Sequence, residues 1–103
     1  MYYTYILRCA DNSLYTGIAT DVMRRFEEHI SDEKKGAKYT KRHKPLKIEA
    51  YWKSSDKKLA SKLEYHIKHL DKQKKELLIK DNRMDLLENV IDINEYERIY
   101  WLV

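Results

Sequence analysis

The chain predicts an α+β fold, a small and mainly antiparallel three-stranded sheet flanked by helices in the order ββα-β-αα. Three observations carry that reading. Two strand-like segments, Tyr3-Thr4-Tyr5 and Tyr15-Thr16-Gly17-Ile18, flank the turn-prone Asp11-Asn12-Ser13. Apolar residues recur every three or four positions in two later stretches. Between those stretches lies a segment of strict apolar–polar alternation.

Residues 2 to 9, rich in Tyr, Ile and Thr, read as the first strand. Asn and Asp tolerate left-handed backbone and bond their own main chain, so Asp11-Asn12-Ser13 turns the chain into a second strand over residues 14 to 18. Asp21 is a helix cap, and Val22, Phe26 and Ile30 give the following helix an apolar stripe to about residue 30. Residues 31 to 45 are a polar, Lys-rich loop holding Gly36 and Pro45. Leu46, Ile48, Ala50 and Trp52 alternate with polar residues as a third strand. Ser54, Ser55 and Asp56 start the next helix, whose buried stripe is Leu59, Leu63, Ile67 and Leu70. A short helix over 72 to 80 follows, 84 to 91 reads as helical, and 96 to 103 reads as a last strand or a clamp on the body.

At 103 residues the chain has room for one modest core. Apolar content of 43% supports a globular fold, and only two Gly and one Pro argue against a disordered chain. No apolar run reaches bilayer length and no basic stretch precedes a hydrophobic segment, so neither a membrane span nor a signal peptide is expected. The lone Cys9 has no internal disulfide partner, which fits a reducing cytoplasm and a role as small core filler. Net charge hides an asymmetry. Residues 1 to 80 hold 19 Lys/Arg against 11 Asp/Glu, whereas 81 to 103 hold 2 against 6. The expected organisation is a basic domain over 1–80 and an acidic extension over 81–103. Nine of the extension's residues are large and apolar, so it should pack on that domain and weaken its pull on polyanions.

Arg25 and His29 share a helix face with Val22 and Phe26, and Glu64 borders the stripe of the second helix. Two phenols, a guanidinium and one hard carboxylate are parts that phosphodiester hydrolysis can use. Taken together, Tyr3-Thr4-Tyr5, Tyr15-Thr16-Gly17-Ile18, Arg25, His29 and Glu64 resemble the GIY-YIG nuclease superfamily, most closely its smallest stand-alone bacterial members, over roughly residues 2 to 80.

The resemblance implies a DNA endonuclease, with repair or recombination as its setting, whose catalytic residues are Tyr5, Tyr15, Arg25, His29 and Glu64. Arg25 would be the transition-state arginine, Tyr15 the water-activating phenol and Tyr5 a positioning phenol. His29 is either a phosphate or water contact or a satisfied histidine at a helix edge. Glu64 would hold one Mg²⁺ or Mn²⁺ that keeps most of its waters. DNA, branched or damaged, is the expected partner, with no membrane and no identifiable protein partner. For nucleic-acid contact the candidates are Gly17, where a strand glycine permits close approach, and Lys38, Tyr39, Lys41 and Arg42. In that loop basic residues interleave with an aromatic ring, as either a phosphate and base platform or a solvated loop. His66 and His69 read as surface residues.

The chain departs from the family pattern in two places: Tyr3 stands where the first motif has Gly, and Ile18 stands where some repair nucleases carry Lys. The second reading is therefore a nucleic-acid-binding module that keeps the fold without catalysis. The site also makes a geometric demand. Tyr5 and Tyr15 share a face only if paired residue numbers sum to an even value, which requires an odd loop of Asp11 to Ser13 or two residues longer, or a bulge.

Overall fold

In the computed structural model, which describes residues 1–31, 39 and 42–100, the chain opens with a hairpin of β1 (Tyr2–Cys9) and β2 (Leu14–Ala19). Helix α1 (Val22–Ser31) follows, then β3 (Pro45–Ser54), α2 (Lys57–Lys68), α3 (Lys72–Asp81), two short 3₁₀ turns and β4 (Glu97–Ile99). The class is α+β as the sequence predicts. The sheet is antiparallel but has a fourth strand, in the order β2-β1-β3-β4, because the end of the chain adds three residues to the edge of β3.

The hairpin obeys the parity its chemistry demands. Tyr5 pairs with Gly17 and Leu7 with Tyr15, so both phenols share one face. The loop is odd but begins one residue earlier than expected, because the Cys9 N–H donates to the Ser13 carbonyl at 2.9 Å and closes Ala10–Asn12. Asn12 takes φ 68°, the left-handed conformation an Asn accepts at low cost. The Asp11 carboxylate then accepts from the Ser13 N–H and hydroxyl.

β3 is less regular than its alternation suggests. A regular strand would put Leu46, Ile48, Ala50 and Trp52 on one face. Register shifts between Ile6 and Leu7, and between Arg8 and Cys9, intervene. As a result Ala50 and Trp52 pack under α2 and α3 while Ile48 joins the α1 face, and Leu46 is left 58% exposed. A bulge re-aims side chains in this way. Here it turns Glu49 to Arg8, whose guanidinium also grips Glu76 of α3 at 2.6 Å, tying hairpin, β3 and α3 together.

Each sheet face is covered. On one side α1 lays Val22 and Phe26 over Tyr5, Leu7 and Ile48. Ile30, expected in that stripe, is 49% exposed and His29 is buried instead. At 3.6 residues per turn His29 lies roughly 20° from Val22 around the helix, whereas Ile30 lies roughly 80° away. On the other side Leu63 and Ile67 of α2 and Leu78 of α3 pack on Ile6, Ala50 and Trp52. Asp56 caps α2 by accepting from Leu59 N–H, and Asp71 caps α3 by accepting from Lys74 N–H. Leu59 and Leu70 sit at the margin of the core, and Ala60 takes the fully buried place.

Residues beyond α3 complete this second core. Met84, Leu87 and Ile91 are buried in it, although only Met84–Leu87 forms a helical turn, of 3₁₀ type. Asn82, left-handed at the end of α3, accepts from the Trp52 indole N–H at 2.9 Å. Arg98 of β4 donates to the Leu78 and Ile79 carbonyls at the end of the same helix. Cys9 is buried, and burial pushes its thiol up, so it is core filler. Among the described residues no helix is long and apolar enough to cross a membrane.

Candidate active site

Three elements converge at the free edge of β2. Tyr15 comes from the start of β2 and Arg25 from the inner side of α1, while Glu64 comes from the rim of α2. The Tyr15 phenol feels both charges, Arg25 favouring and Glu64 opposing its ionisation, while burial, the largest influence, pushes it above the usual tyrosine range. Lys68, one turn after Glu64, lies 3.5 Å from its carboxylate and 5.9 Å from the centre of the Tyr15 ring. Glu64 is neither deep nor free, with its side chain 24% exposed. The Lys68 pairing is one a cation can replace, since such exposed ion pairs are worth at most about 1 kcal/mol.

Tyr5 and His29 lie behind Tyr15, away from solvent. Tyr5 is 1% exposed and His29 is 6% exposed. The Tyr5 oxygen and His29 Nε2 share a hydrogen bond at 2.9 Å, with the Arg25 guanidinium also against the phenol. The Tyr5 oxygen accepts from the Arg25 guanidinium, which only donates, and shares its other bond with His29 Nε2. Burial, and then Tyr15, push the Tyr5 phenol far above the ordinary value, against the pull of Arg25. Burial and then Arg25 hold His29 down to about 4, with Glu28 opposing. Both groups are therefore neutral at pH 7. The burial of His29 matches the satisfied-histidine alternative, with Tyr5 as partner.

Gly17 has a different purpose from the one its strand position suggests. A Cβ there would lie 2.5 Å from the Tyr5 oxygen and 2.7 Å from its Cζ. The phenol of the cross-strand partner fills the space on this face of the strand. Only glycine lets Tyr5 lie flat across β2 and reach His29.

Along the β2 edge runs an open groove of about 410 Å³, lined by Tyr2, Ile18 and Thr20 with Arg24, Arg25, Glu28 and Lys57 among its charged walls. Arg25 is paired with Glu28 at 3.0 Å and Arg24 with the same carboxylate at 3.7 Å. Arg24 shares the groove with Arg25. Lys57 and Lys68 were not singled out from the sequence. Lys68 carried a readable signal, its four-residue spacing from Glu64 on one helix. Lys57 carried none, because only the packing of α2 brings its first residue to the β2 edge.

Of the loop candidates, Lys38 and Lys41 lie outside the described residues, and Arg42 is exposed. Tyr39 turns inward and stacks on Tyr15, ring centres 5.7 Å apart. Among the described residues no group of three or more His, Cys, Asp or Glu could cage a metal. Glu64 offers a hard oxygen donor near Tyr15, the kind that holds a divalent ion together with waters.

Residues 1–77 match the family model of the GIY-YIG catalytic domain. A UPF0213 protein of Fusobacterium nucleatum is 48% identical over 91 residues, covering 86% of this chain and 89% of its own length. One of Limosilactobacillus reuteri is 43% identical over 90 residues, covering 84% and 91%. The solution NMR structure of a UPF0213 protein from Bacillus halodurans is 42% identical, covers 87% of this chain and 97% of its own, and superposes with a TM-score of 0.49. The chain belongs to the GIY-YIG family, among its small UPF0213 proteins.

Proposed function

We propose that this protein is a metal-dependent endonuclease that hydrolyses DNA phosphodiester bonds at the β2 edge. The observation that carries the reading is the convergence of Tyr15, Arg25 and Glu64 from three separate elements, with Arg25 also in the wall of the groove along the β2 edge. Arg24 and Lys57 offer their charge to the backbone phosphates of a strand lying in the groove. Arg25 leaves Glu28 to grip two oxygens of the scissile phosphate, where its planar fork neutralises the charge that develops on them. The Tyr15 oxygen accepts a hydrogen bond from the attacking water and aims its lone pair at phosphorus. Tyr5 and His29, neutral and buried, touch neither water nor phosphate. They hold the Arg25 guanidinium and the Tyr15 ring in place. A divalent ion on Glu64 would supply the positive charge that lowers the proton affinity of the water and of Tyr15 and stabilises the leaving oxygen.

The test is incubation of the purified protein with flapped, branched, single-stranded and duplex DNA in Mg²⁺ or Mn²⁺. Cleavage should vanish with chelator and fall about 100-fold or more in Glu64→Ala, since one such transition-state contact contributes about 3 kcal/mol. Equal behaviour of wild type and Glu64→Ala on every substrate rejects catalysis. DNA binding that then survives both chelator and the substitution identifies a binding module instead.

A further inference from the structure

The hairpin turn and the segment before β3, 30 residues apart in sequence, meet beside Tyr15. Tyr39 stacks on Tyr15 with planes 29° apart, and His43 stacks on Tyr39 at 4.1 Å and 19°. His43 Nδ1 lies 2.5 Å from the Asp11 carboxylate, which the Ser13 N–H and hydroxyl fix in the turn. The backbone ties the same two segments, since Ala10 N–H donates to the Lys44 carbonyl at 2.8 Å and His43 N–H to the Tyr39 carbonyl at 2.9 Å. From Asp11 a continuous path of contacts thus runs through His43 and Tyr39 to the Tyr15 ring. It returns to Asp11 through Ser13 and Leu14, the residues that join the turn to β2.

Tyr39 is in the wrong state for the base platform that its basic neighbours suggest. It is already engaged by two rings, and a nucleobase would have to displace one of them. Its position suits another task. The Tyr15 ring has Tyr5 at 6.3 Å and His29 at 5.3 Å on its inner sides. Tyr39 supplies the further contact that stops the ring from swinging outward. A catalytic group misplaced by about 1 Å can lose about a hundredfold in rate, so a ring held by packing alone gains from such a stop.

We propose that Asp11, His43 and Tyr39 form a positioning arm that holds the Tyr15 phenol in its working orientation. The arm acts through Tyr15 and does not touch the substrate. This rests on the assignment of Tyr15 to a nuclease site, so the test has one arm that needs cleavage and one that does not. With a cleaved DNA substrate, Tyr39→Ala and His43→Ala should lower kcat about tenfold with KM within about twofold. Tyr39→Phe, which keeps the ring, should recover most of the rate. In a Tyr15→Phe background Tyr39→Ala should cost nothing more. A raised KM at unchanged kcat, or a full additional loss in the Tyr15→Phe background, overturns the arm.

Independently of cleavage, the ring resonances of Tyr15 in ¹³C-tyrosine-labelled protein, assigned with Tyr15→Phe, report the same contact. They should shift and show faster ring flipping in Tyr39→Ala and His43→Ala, and stay near the wild-type position in Tyr39→Phe. Unchanged Tyr15 resonances in both alanine variants overturn the arm even if the wild type cuts no DNA. If Tyr39→Ala fails to fold, His43→Ala, which leaves the Tyr39 ring in place, carries both measurements.

Discussion

On one face of β1 stand Tyr3, Tyr5 and Leu7, under α1; on the other stand Thr4, Ile6 and Arg8, under α2 and α3. The second face is an ordinary core. Ile6, Ala50, Trp52, Leu63, Ile67 and Leu78 are buried there, and the chain end seals it. The first face buries phenols, an imidazole and part of a guanidinium, groups that give up hydration and bond to each other and, through Arg25, to Glu28. One strand thus carries a face selected for apolar area and a face selected for orientation. Adjacent residues on one element should therefore fail in different ways.

Leu63 and Glu64, neighbours on α2, give the sharpest contrast. Leu63→Ala should destabilise the protein by about 2–5 kcal/mol, since it opens a cavity at a fully buried site. Urea denaturation should show this while the folded fraction keeps its rate, the converse of Glu64→Ala. Arg25→Lys comes next. It keeps the charge but loses the bidentate fork, and should slow cleavage about 100-fold with the urea midpoint nearly unmoved. A Lys variant as fast as wild type would mean that Arg25 acts only through its charge.

Gly17→Ala links the two kinds of failure. The added methyl meets the Tyr5 ring, which cannot yield without losing His29, so we expect about 1–3 kcal/mol of destabilisation together with slower cleavage. Stability lost at full activity per folded molecule would show that Tyr5 is packing alone.

The smallest effect is the pH dependence from His29. Its ordinary value is 6.5, and burial holds it at about 4 in the folded protein. Above pH 6.5 both states are neutral and stability is complete. As pH falls from 6.5 to about 4 the unfolded chain takes up the proton first, and stability should drop by roughly 1–3 kcal/mol before levelling. Urea titrations across that window should show the slope in wild type and lose it in His29→Gln.

The periodic parts of this architecture were legible in the sequence. The hairpin, the caps at Asp21 and Asp56 and the stripe through Leu63 and Ile67 all rest on local chemistry or on helical spacing. Side-chain parity also required an odd hairpin loop, as found. What escaped depends on distant partners. The bulges that separate Ile48 from Ala50 follow from pairing with β1, which no alternation within β3 reveals. Ile30 and His29 compete for one helix face, and hydrophobicity favours the wrong one until Tyr5 supplies a partner for the imidazole. Gly17 was noticed for a sound reason, close approach, but the approaching group is a side chain 12 residues earlier. The fourth strand falls inside the stretch read as a last strand or a clamp, but at three residues it is too short to carry the period that would decide between them.

The strand order leaves the sheet with two open ends that differ in kind. β4 ends the sheet with three residues, two of them charged, Glu97 and Arg98, a length and composition that offer little to a passing chain. β2 ends it with six residues that include Thr16, Gly17 and Ile18, and the proposed nuclease site would need this edge open to a DNA strand. An edge strand also templates pairing with another polypeptide, so the edge proposed to serve substrate is the longer of the two that could pair with a second copy. Nucleic acid lying in the groove would then act as a solubiliser as well as a substrate. Under the proposed function, pairing along β2 with a second copy and DNA binding would compete for one edge.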